Sequence, residues 1–185
     1  MSSFATKQTA SAEFTVFNDE ISILEFWSKD RQFGLRINRE NIQTILSICV
    51  SAGEHETGGV LIGHYSDNLD CALVTIVTGP DEDSRAGKRW FKRGTRLLRQ
   101  LLLRYWRSGK GYYLGEWHFH PSADPTPSAT DNTTMMRIAV DPACHCKQPV
   151  LLIIGGSPPN HWLASAHVYL AGKGEIRLVS DSIQD

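Results

Sequence analysis

Residues 115–121 read Gly-Glu-Trp-His-Phe-His-Pro, a run in which polar and aromatic side chains alternate. Successive side chains of a β-strand point to opposite faces, so we expect His118 and His120 on one face, roughly 6.6–6.8 Å apart along the strand. Trp117 and Phe119 are then expected on the other face, where they can anchor the strand in a core. The pattern therefore predicts a strand that presents two imidazoles at one surface of a sheet and ends at its proline, which cannot continue a hydrogen-bonded ladder.

A helix is predicted to begin shortly after this strand. Ser128 stands three residues before Asp131, which is the spacing of a capping box at a helix N-terminus. Pro125 and Pro127 hold the intervening loop out of the helical conformation. Two imidazoles and a carboxylate can therefore converge on one point, and this ligand set suits a zinc ion with an open fourth position for water. The candidate metal ligands are His118, His120 and Asp131.

An upstream motif completes a resemblance to a known family. Glu56 stands three residues before the strand-like Gly59-x-Leu61-x-Gly63. Together with the His-x-His-x7-Ser-x2-Asp pattern at 118–131, this motif resembles the JAMM (MPN+, Mov34/JAB) zinc metallopeptidase family over about residues 35 to 170. The phrase at 115–121 is most similar to bacterial members, including isopeptidases encoded beside ubiquitin-like conjugation enzymes in antiphage (CD-NTase-associated) cyclic-nucleotide signalling operons. The resemblance implies an α/β fold in which a mixed β-sheet is flanked by helices, related to the cytidine-deaminase fold.

The resemblance also implies an activity, that of a zinc-dependent isopeptidase. Such an enzyme removes a ubiquitin-like modifier or conjugated protein by cleaving after its C-terminal tail, and a conjugated cyclic-nucleotide synthase is one expected target. Zinc would lower the pKa of its water from about 15.7 towards 7. Glu56 is the predicted general base because its spacing matches the family pattern. Ser128 is a second catalytic candidate, as a donor to the developing oxyanion, although capping alone explains it equally well.

Several alternatives remain open from the sequence. Glu116 shares the strand face of the histidines and rivals Glu56 as the base, but we assign it the orientation of an imidazole or a substrate amide. A second functional hypothesis, besides the isopeptidase, is a hydrolase of sulfur-carrier or small-molecule adducts. A RadC-like domain without peptidase activity is a third, because residues 120–128 also resemble the RadC loop. Cys144-His145-Cys146 lacks a fourth ligand at zinc-finger spacing, so we predict no second metal site there.

Composition narrows the class of protein. The chain has 185 residues, which fits one domain over residues 13–185, and we expect the Ser/Thr/Ala-rich residues 1–12 to be disordered. A formal charge of −1 argues against a polycationic nucleic-acid binder. The apolar run at 150–154 is too short to span a membrane. Four cysteines without a secretory signal lead us to expect a cytoplasmic protein with reduced thiols.

Residues 85–110 are unusually basic, with ten of the chain's 19 Lys and Arg residues and no acidic residue. The apolar and the basic residues of this segment each recur with the period of a helix. This spacing predicts a basic helix over 88–107, with arginines on its outer face and apolar residues on its inner face. The outer arginines are Arg93, Arg96, Arg99 and Arg107. Such a helix is either simply solvated or a surface that binds an acidic protein or a nucleotide phosphate.

Periodicity and turn residues predict the remaining elements. Helices are expected over 38–51 and 128–140. Strands are expected over 33–37, 59–65, 71–78, 150–154, 163–170 and 175–179. Residues 14–17 and 21–27 are predicted to form a hairpin, with a docking segment rich in Phe and Trp as the equal alternative.

Overall fold

Eleven strands, three α-helices and one 3₁₀ turn form within residues 13–14, 23–159 and 161–181, which are the residues that the computed structural model describes. The strands are β1 (Glu13–Phe14), β2 (Ile23–Trp27), β3 (Gly34–Asn38), β4 (Thr57–Tyr65), β5 (Cys71–Val77), β6 (Arg85–Gly87), β7 (Trp90–Lys92), β8 (Tyr112–Pro121), β9 (Val150–Ser157), β10 (His161–Leu170) and β11 (Gly174–Ser180). The helices are α1 (Arg39–Ala52), α2 (Leu98–Arg107) and α3 (Ala129–Val140), and the 3₁₀ turn is Pro142–Cys144. The disorder predicted for residues 1–12 lies outside the described residues. Within them, no helix is both long and apolar enough to cross a membrane.

The main sheet closes on itself. Its strand order is β1-β10-β11-β2-β3-β5-β4-β8-β9, and β9 pairs back with β10 along eight residue pairs, which closes a ring of eight strands with β1 added to β10. The pairs β3–β5 and β8–β9 are parallel and the other pairs in this ring are antiparallel, which confirms the mixed α/β class. The closure was not predicted, because it depends on the pairing of β11 with β2, whose residues are far apart in the sequence. Flanking of the sheet by helices stays a prediction.

Two groups of buried side chains surround β9. Leu152 and Ile154 belong to the larger core cluster, whereas Leu151 and Ile153 belong to a smaller one. This is the alternation expected of a strand that is buried on both faces. Ile42, Ile45 and Cys49 of α1 join the larger cluster, and Met135 and Ala139 of α3 join the smaller. The smaller cluster therefore lies on the β9 face that α3 contacts.

Local capping explains where α1 begins and ends. The Asn38 side chain accepts a hydrogen bond from the Asn41 backbone N–H at 2.9 Å. Gly53 follows the helix with φ 63°, a left-handed conformation in which a residue with a Cβ is disfavoured. The helix predicted over 38–51 is therefore confirmed. The hairpin predicted for residues 14–17 and 21–27 is wrong where the structure describes it, because Phe14 pairs with Trp162 and β2 pairs with β3 and β11.

The basic helix predicted over 88–107 is also wrong in its first half. Residues 85–92 form the hairpin β6–β7, and the helix begins only at Leu98. The physical reason lies in residues 81–84, whose side chains accept backbone N–H groups of the following segment. Gly94 N–H donates to Ser84 Oγ at 2.9 Å, and the N–H groups of Thr95 and Leu97 donate to Asp83 and Asp81, both at 3.3 Å. These bonds compete with helix formation.

Candidate metal centre

Strand β8 supplies two of the predicted ligands. Trp117 and Phe119 are fully buried in the larger core cluster, as the alternation predicted. His118 pairs with Ile153 of the parallel strand β9, and residues paired in this way point to the same face. His118 therefore lies on the side of the sheet that packs with α3. On the other edge of β8 it pairs with Gly58, where a Cβ would lie only 2.9 Å from the His118 ring.

Helix α3 brings the third predicted ligand to the same face. Asp131 N–H donates to Ser128 Oγ at 3.1 Å, and Ser128 N–H donates to Asp131 Oδ2 at 2.8 Å. This capping box confirms the predicted helix start. Met135, one turn further on, packs into the smaller cluster with Ile153. The capping geometry thus fixes the Asp131 carboxylate while the packing of α3 directs it towards β8.

The structure brings His118, His120 and Asp131 together. Asp131 Oδ1 lies 2.9 Å from His118 Nδ1, and Asp131 Oδ2 lies 3.8 Å from His120 Nε2. One donor atom from each residue lies within 4.8 Å of the others. Among the described residues, no other group of three His, Cys, Asp or Glu side chains meets this criterion, and the Cys144–Cys146 segment forms none.

The donor set fits a zinc ion. Zinc accepts imidazole nitrogen and carboxylate oxygen, and three protein ligands are typical of sites that leave a position for water. The side chains of His118 and His120 are 14% and 12% exposed, so the group can be reached from solvent. The three residues are therefore suited to hold a zinc ion at the protein surface.

The charges of these residues favour a cation between them. Burial by itself would lower the pKa of His118, but its hydrogen bonds to Asp131 and Glu116 outweigh burial and raise that pKa to about 9. Burial would raise the pKa of Asp131, yet the hydrogen bond and charge of His118 hold it well below its usual range. A proton on His118 and a metal ion would therefore compete for the same place. A metal ion would displace that proton, so its binding is coupled to pH.

Glu116 is occupied by other contacts. Its side chain is 3% exposed, with Oε2 3.4 Å from His118 Nε2. Its Oε1 accepts hydrogen bonds from Arg93 Nη2 at 2.7 Å and from the Tyr113 hydroxyl at 3.2 Å. Burial would raise the pKa of Glu116, but the hydrogen bond to His118 and the charge of Arg93 keep it below its usual value. These contacts support the orienting role assigned to Glu116 and disfavour it as a base.

Glu56 lies directly before β4 and close to the candidate ligands. Its backbone N–H donates to Gly87 O of β6 at 2.9 Å, which ties this residue to the β6–β7 hairpin. Partial burial raises the pKa of Glu56, the negative charge of Asp131 raises it further, and His118 opposes the shift. A carboxylate whose pKa is raised towards neutrality exchanges protons more effectively near pH 7. The placement and the direction of the shift both suit a general base.

Ser128 has an exposed side chain whose Oγ accepts the capping hydrogen bond from Asp131 N–H. A serine hydroxyl has one donor hydrogen in addition to its acceptor lone pairs. Capping therefore leaves the hydroxyl hydrogen free for another acceptor. The structural and catalytic roles proposed for Ser128 are compatible.

Two contacts of the site were missed by sequence reasoning. Arg93 was placed on the outer face of a helix, but it follows β7 and contacts Glu116. Tyr113 stands three residues from Glu116, so strict alternation would put the two side chains on opposite faces. A register shift in the β4–β8 pairing between Leu61 and Ile62 interrupts that alternation. The sequence did contain one indication of such contacts: Glu116 stands in a strand expected to be buried, and a buried glutamate requires a cationic or hydrogen-bonding partner.

Comparisons with known proteins identify the family of this chain. The family model of prokaryotic homologs of the JAB domain matches residues 39–166. A CD-NTase/cGAS isopeptidase of Enterobacter hormaechei subsp. hoffmannii is 40% identical over 158 residues, which are 85% of this chain and 87% of that protein. A probable metalloprotease, y4qB, of Sinorhizobium fredii is 32% identical over 116 residues, 61% of this chain and 70% of that protein.

A solved structure shares the fold. The solution structure of protein DSY2949 from Desulfitobacterium hafniense matches with a TM-score of 0.57 and 21% sequence identity, covering 75% of this chain and 86% of that one.

Proposed function

Because the chain belongs to the family of prokaryotic homologs of the JAB domain, we propose that it is a zinc-dependent isopeptidase. One observation supports this most strongly: ligand atoms of His118, His120 and Asp131 lie within 4.8 Å of one another. Glu56, whose pKa is raised, lies close enough for Asp131 and His118 to shift it. A three-ligand metal site with an adjacent carboxylate is the arrangement that metal-assisted hydrolysis of an amide requires.

The proposed substrate is a protein joined through its C-terminal tail to a lysine side chain. The Enterobacter relative is named a CD-NTase/cGAS isopeptidase, so we extend that substrate class to this chain and propose a conjugated CD-NTase as the target. Because β8 is paired on both edges, with β4 and β9, an extended tail would approach from the face of the sheet on which His118 and His120 lie. Hydrolysis then separates the tail carbonyl carbon from the lysine nitrogen.

Each residue has a defined part in this hydrolysis. When bound, zinc supplies a water of lowered pKa and polarises the scissile carbonyl. Glu56 takes the proton of the attacking water and transfers it to the departing lysine nitrogen, which leaves as an amine. Ser128 donates its hydroxyl hydrogen to the carbonyl oxygen as negative charge develops there. Glu116 accepts from His118 Nε2–H, which leaves Nδ1, on the side of Asp131, as the nitrogen that would hold the metal.

A branched peptide tests the proposal directly. The peptide carries a CD-NTase C-terminal tail whose carboxyl group is joined to a lysine Nε, and its control carries the same tail in an ordinary α-peptide bond. We expect the zinc-loaded protein to cleave the branched peptide, chelation to stop the reaction, and added zinc to restore it. Mass spectrometry of the two products locates the cleaved bond. If the protein binds one zinc but leaves the branched bond intact and cleaves a thioester or small-molecule adduct instead, the isopeptidase assignment is wrong.

Helix α2 is the proposed docking surface for the protein part of the substrate. Leu103 and Trp106 are 39% and 65% exposed, and Arg99, Arg104 and Arg107 are exposed around them. Leu98, Leu101, Leu102 and Tyr105, on the predicted inner side, are half-buried. An exposed apolar group ringed by arginines complements an acidic protein surface that has an apolar centre. The surface consists of these α2 residues and not of Arg93, which contacts Glu116.

A charge reversal at Arg99 tests this surface. Arg99 lies in the first turn of α2, where a glutamate is favourable to the helix, so Arg99→Glu should not unfold it. We expect KM for a protein conjugate to rise about fivefold, with a smaller difference at high salt. KM for the short branched peptide should not change, because that peptide does not reach α2. Lys29→Glu, at an exposed turn, is the matched control. An equal loss on peptide and conjugate would show that α2 shapes the catalytic site instead.

A further inference from the structure

Arg93 makes a single hydrogen bond to a buried carboxylate and leaves its other nitrogens unpaired. Its Nη2 donates to Glu116 Oε1 at 2.7 Å, and the two side chains are 20% and 3% exposed. Arg93 Nε and Nη1 are buried and have no hydrogen-bond partner among the described residues. Among the described residues, Nη2 is therefore the guanidinium nitrogen through which Arg93 is hydrogen-bonded to the protein.

The Arg93–Glu116 pair is not expected to contribute much to the stability of the fold. A buried donor without a partner loses its hydration without compensation, and a buried ion pair is often no more stable than apolar residues of similar volume. The contact that Arg93 does make is with Glu116, and it leads to the site. Glu116 Oε2 lies 3.4 Å from Nε2 of His118.

We propose that Arg93 is a positioning residue of the metal centre. This inference rests on the proposed function and deepens it. Arg93 and Tyr113 both hold Oε1 of Glu116, which leaves Oε2 directed at His118 Nε2. When Nε2–H donates to Glu116, Nδ1 is the ring nitrogen that remains for a metal ion, on the side of Asp131 Oδ1, 2.9 Å away. Without Arg93, one of the two donors that set the orientation of Glu116 is lost.

The position of Arg93 in the chain adds a second consequence. Arg93 directly follows the β6–β7 hairpin, and the same hairpin contacts the site at two other points. The Phe91 ring packs edge-on against His118, with centroids 6.0 Å apart, and Gly87 O accepts the Glu56 backbone N–H at 2.9 Å. The hairpin therefore contacts both the proposed base and a proposed ligand. Arg93 is the charged link that couples the placement of this hairpin to the metal ligands.

Zinc affinity of the purified full chain tests the inference, measured by competition with a chromophoric chelator. We expect Arg93→Met to weaken zinc binding by about 10–100-fold, the range typical for loss of an outer partner of a metal ligand. Arg93→Lys should weaken it less, because lysine keeps a charged donor. Arg89→Met removes an exposed arginine from the turn of the same hairpin and should leave affinity unchanged. In the zinc-loaded protein, the ¹⁵N shifts of the His118 ring should show a protonated Nε2 and an unprotonated Nδ1 in the wild type, and a mixture of the two tautomeric arrangements in Arg93→Met.

The outcomes separate this inference from the proposed function. If the wild type binds zinc and cleaves the branched peptide while Arg93→Met keeps wild-type affinity and tautomer, Arg93 does not position the site and the proposed function stands. If the wild type binds no zinc, the proposed function fails, and the inference fails with it. Should Arg93→Met not fold, Arg93→Gln carries the test: its shorter, neutral amide removes the charge that holds Glu116, so zinc affinity should still fall below that of the wild type. Wild-type affinity in Arg93→Gln and Arg93→Lys together with a loss in Arg89→Met would also overturn the inference.

Discussion

Replacing His118 with alanine should reduce the zinc content of the purified protein from one equivalent per chain to nearly none. The substitution leaves two of three ligands, and the loss should exceed the about 10–100-fold that removal of an outer partner costs. The fold should survive, because Trp117 and Phe119 anchor β8 from its opposite face. Elemental analysis together with circular dichroism measures the two effects separately.

The companion variants make this result specific. His120→Ala and Asp131→Ala should lose zinc in the same way, and Asp131→Ala should also lower the melting temperature because it removes half of the capping box. Cys144→Ser alters an exposed thiol outside the site and should retain the full equivalent. A full equivalent of zinc in His118→Ala and Asp131→Ala would show that the ligand set is wrong. Loss of zinc in Cys144→Ser would show that our prediction of no second metal site in that segment is wrong.

Glu56→Ala should retain zinc and lose nearly all isopeptidase activity. Glu56 belongs to neither the ligand group nor the capping box, so the metal stays in place while the proton carrier is missing. General acid–base catalysis contributes about 10²–10⁴-fold, and kcat for the branched peptide should fall by that factor. Steady-state kinetics on zinc-loaded protein, with metal content measured on the same sample, tests this.

A neighbouring glutamate provides the matched control. Glu54 lies two residues before Glu56, but it is exposed and its carboxylate is paired with Lys88 at 2.7 Å. Glu54→Ala should therefore keep full activity. Ser128→Ala should lower kcat less than Glu56→Ala and should cost about 1 kcal/mol of stability through the lost cap. If Glu116→Ala is inactive while Glu56→Ala remains active, the base is Glu116 and our assignment is wrong.

Local chemistry made much of the site predictable. The alternation at 115–121 predicted which side chains of β8 enter the core, and the Ser128–Asp131 spacing predicted the start of α3. Both features depend on residues within one strand or one helical turn, where the period of the element determines the outcome. The helix of residues 39–52 was predictable for the same reason, since Asn38 and Gly53 stand at its ends.

Residues 85–97 show where local pattern was insufficient. Their apolar and basic residues recur with a helical period, yet the side chains of Asp81, Asp83 and Ser84 accept the backbone N–H groups that a helix would need. Helix propensity is a weak preference that such contacts override. The consequence reaches the site, because the resulting hairpin places Arg93 beside Glu116 and not on a helix face.

By itself, the sequence determined which residue types are available to the site and on which face of β8 or turn of α3 each stands. The tertiary structure decided that these faces meet: the parallel pairing of β8 with β9 and the packing of α3 bring Asp131 within 2.9 Å of His118. It also decided that the sheet closes through β11 and β2, and that Glu116 is neutralised by Arg93. The physical reason is separation along the chain. Periodicity and capping act over a few residues, whereas these contacts join segments that only packing and strand pairing bring together.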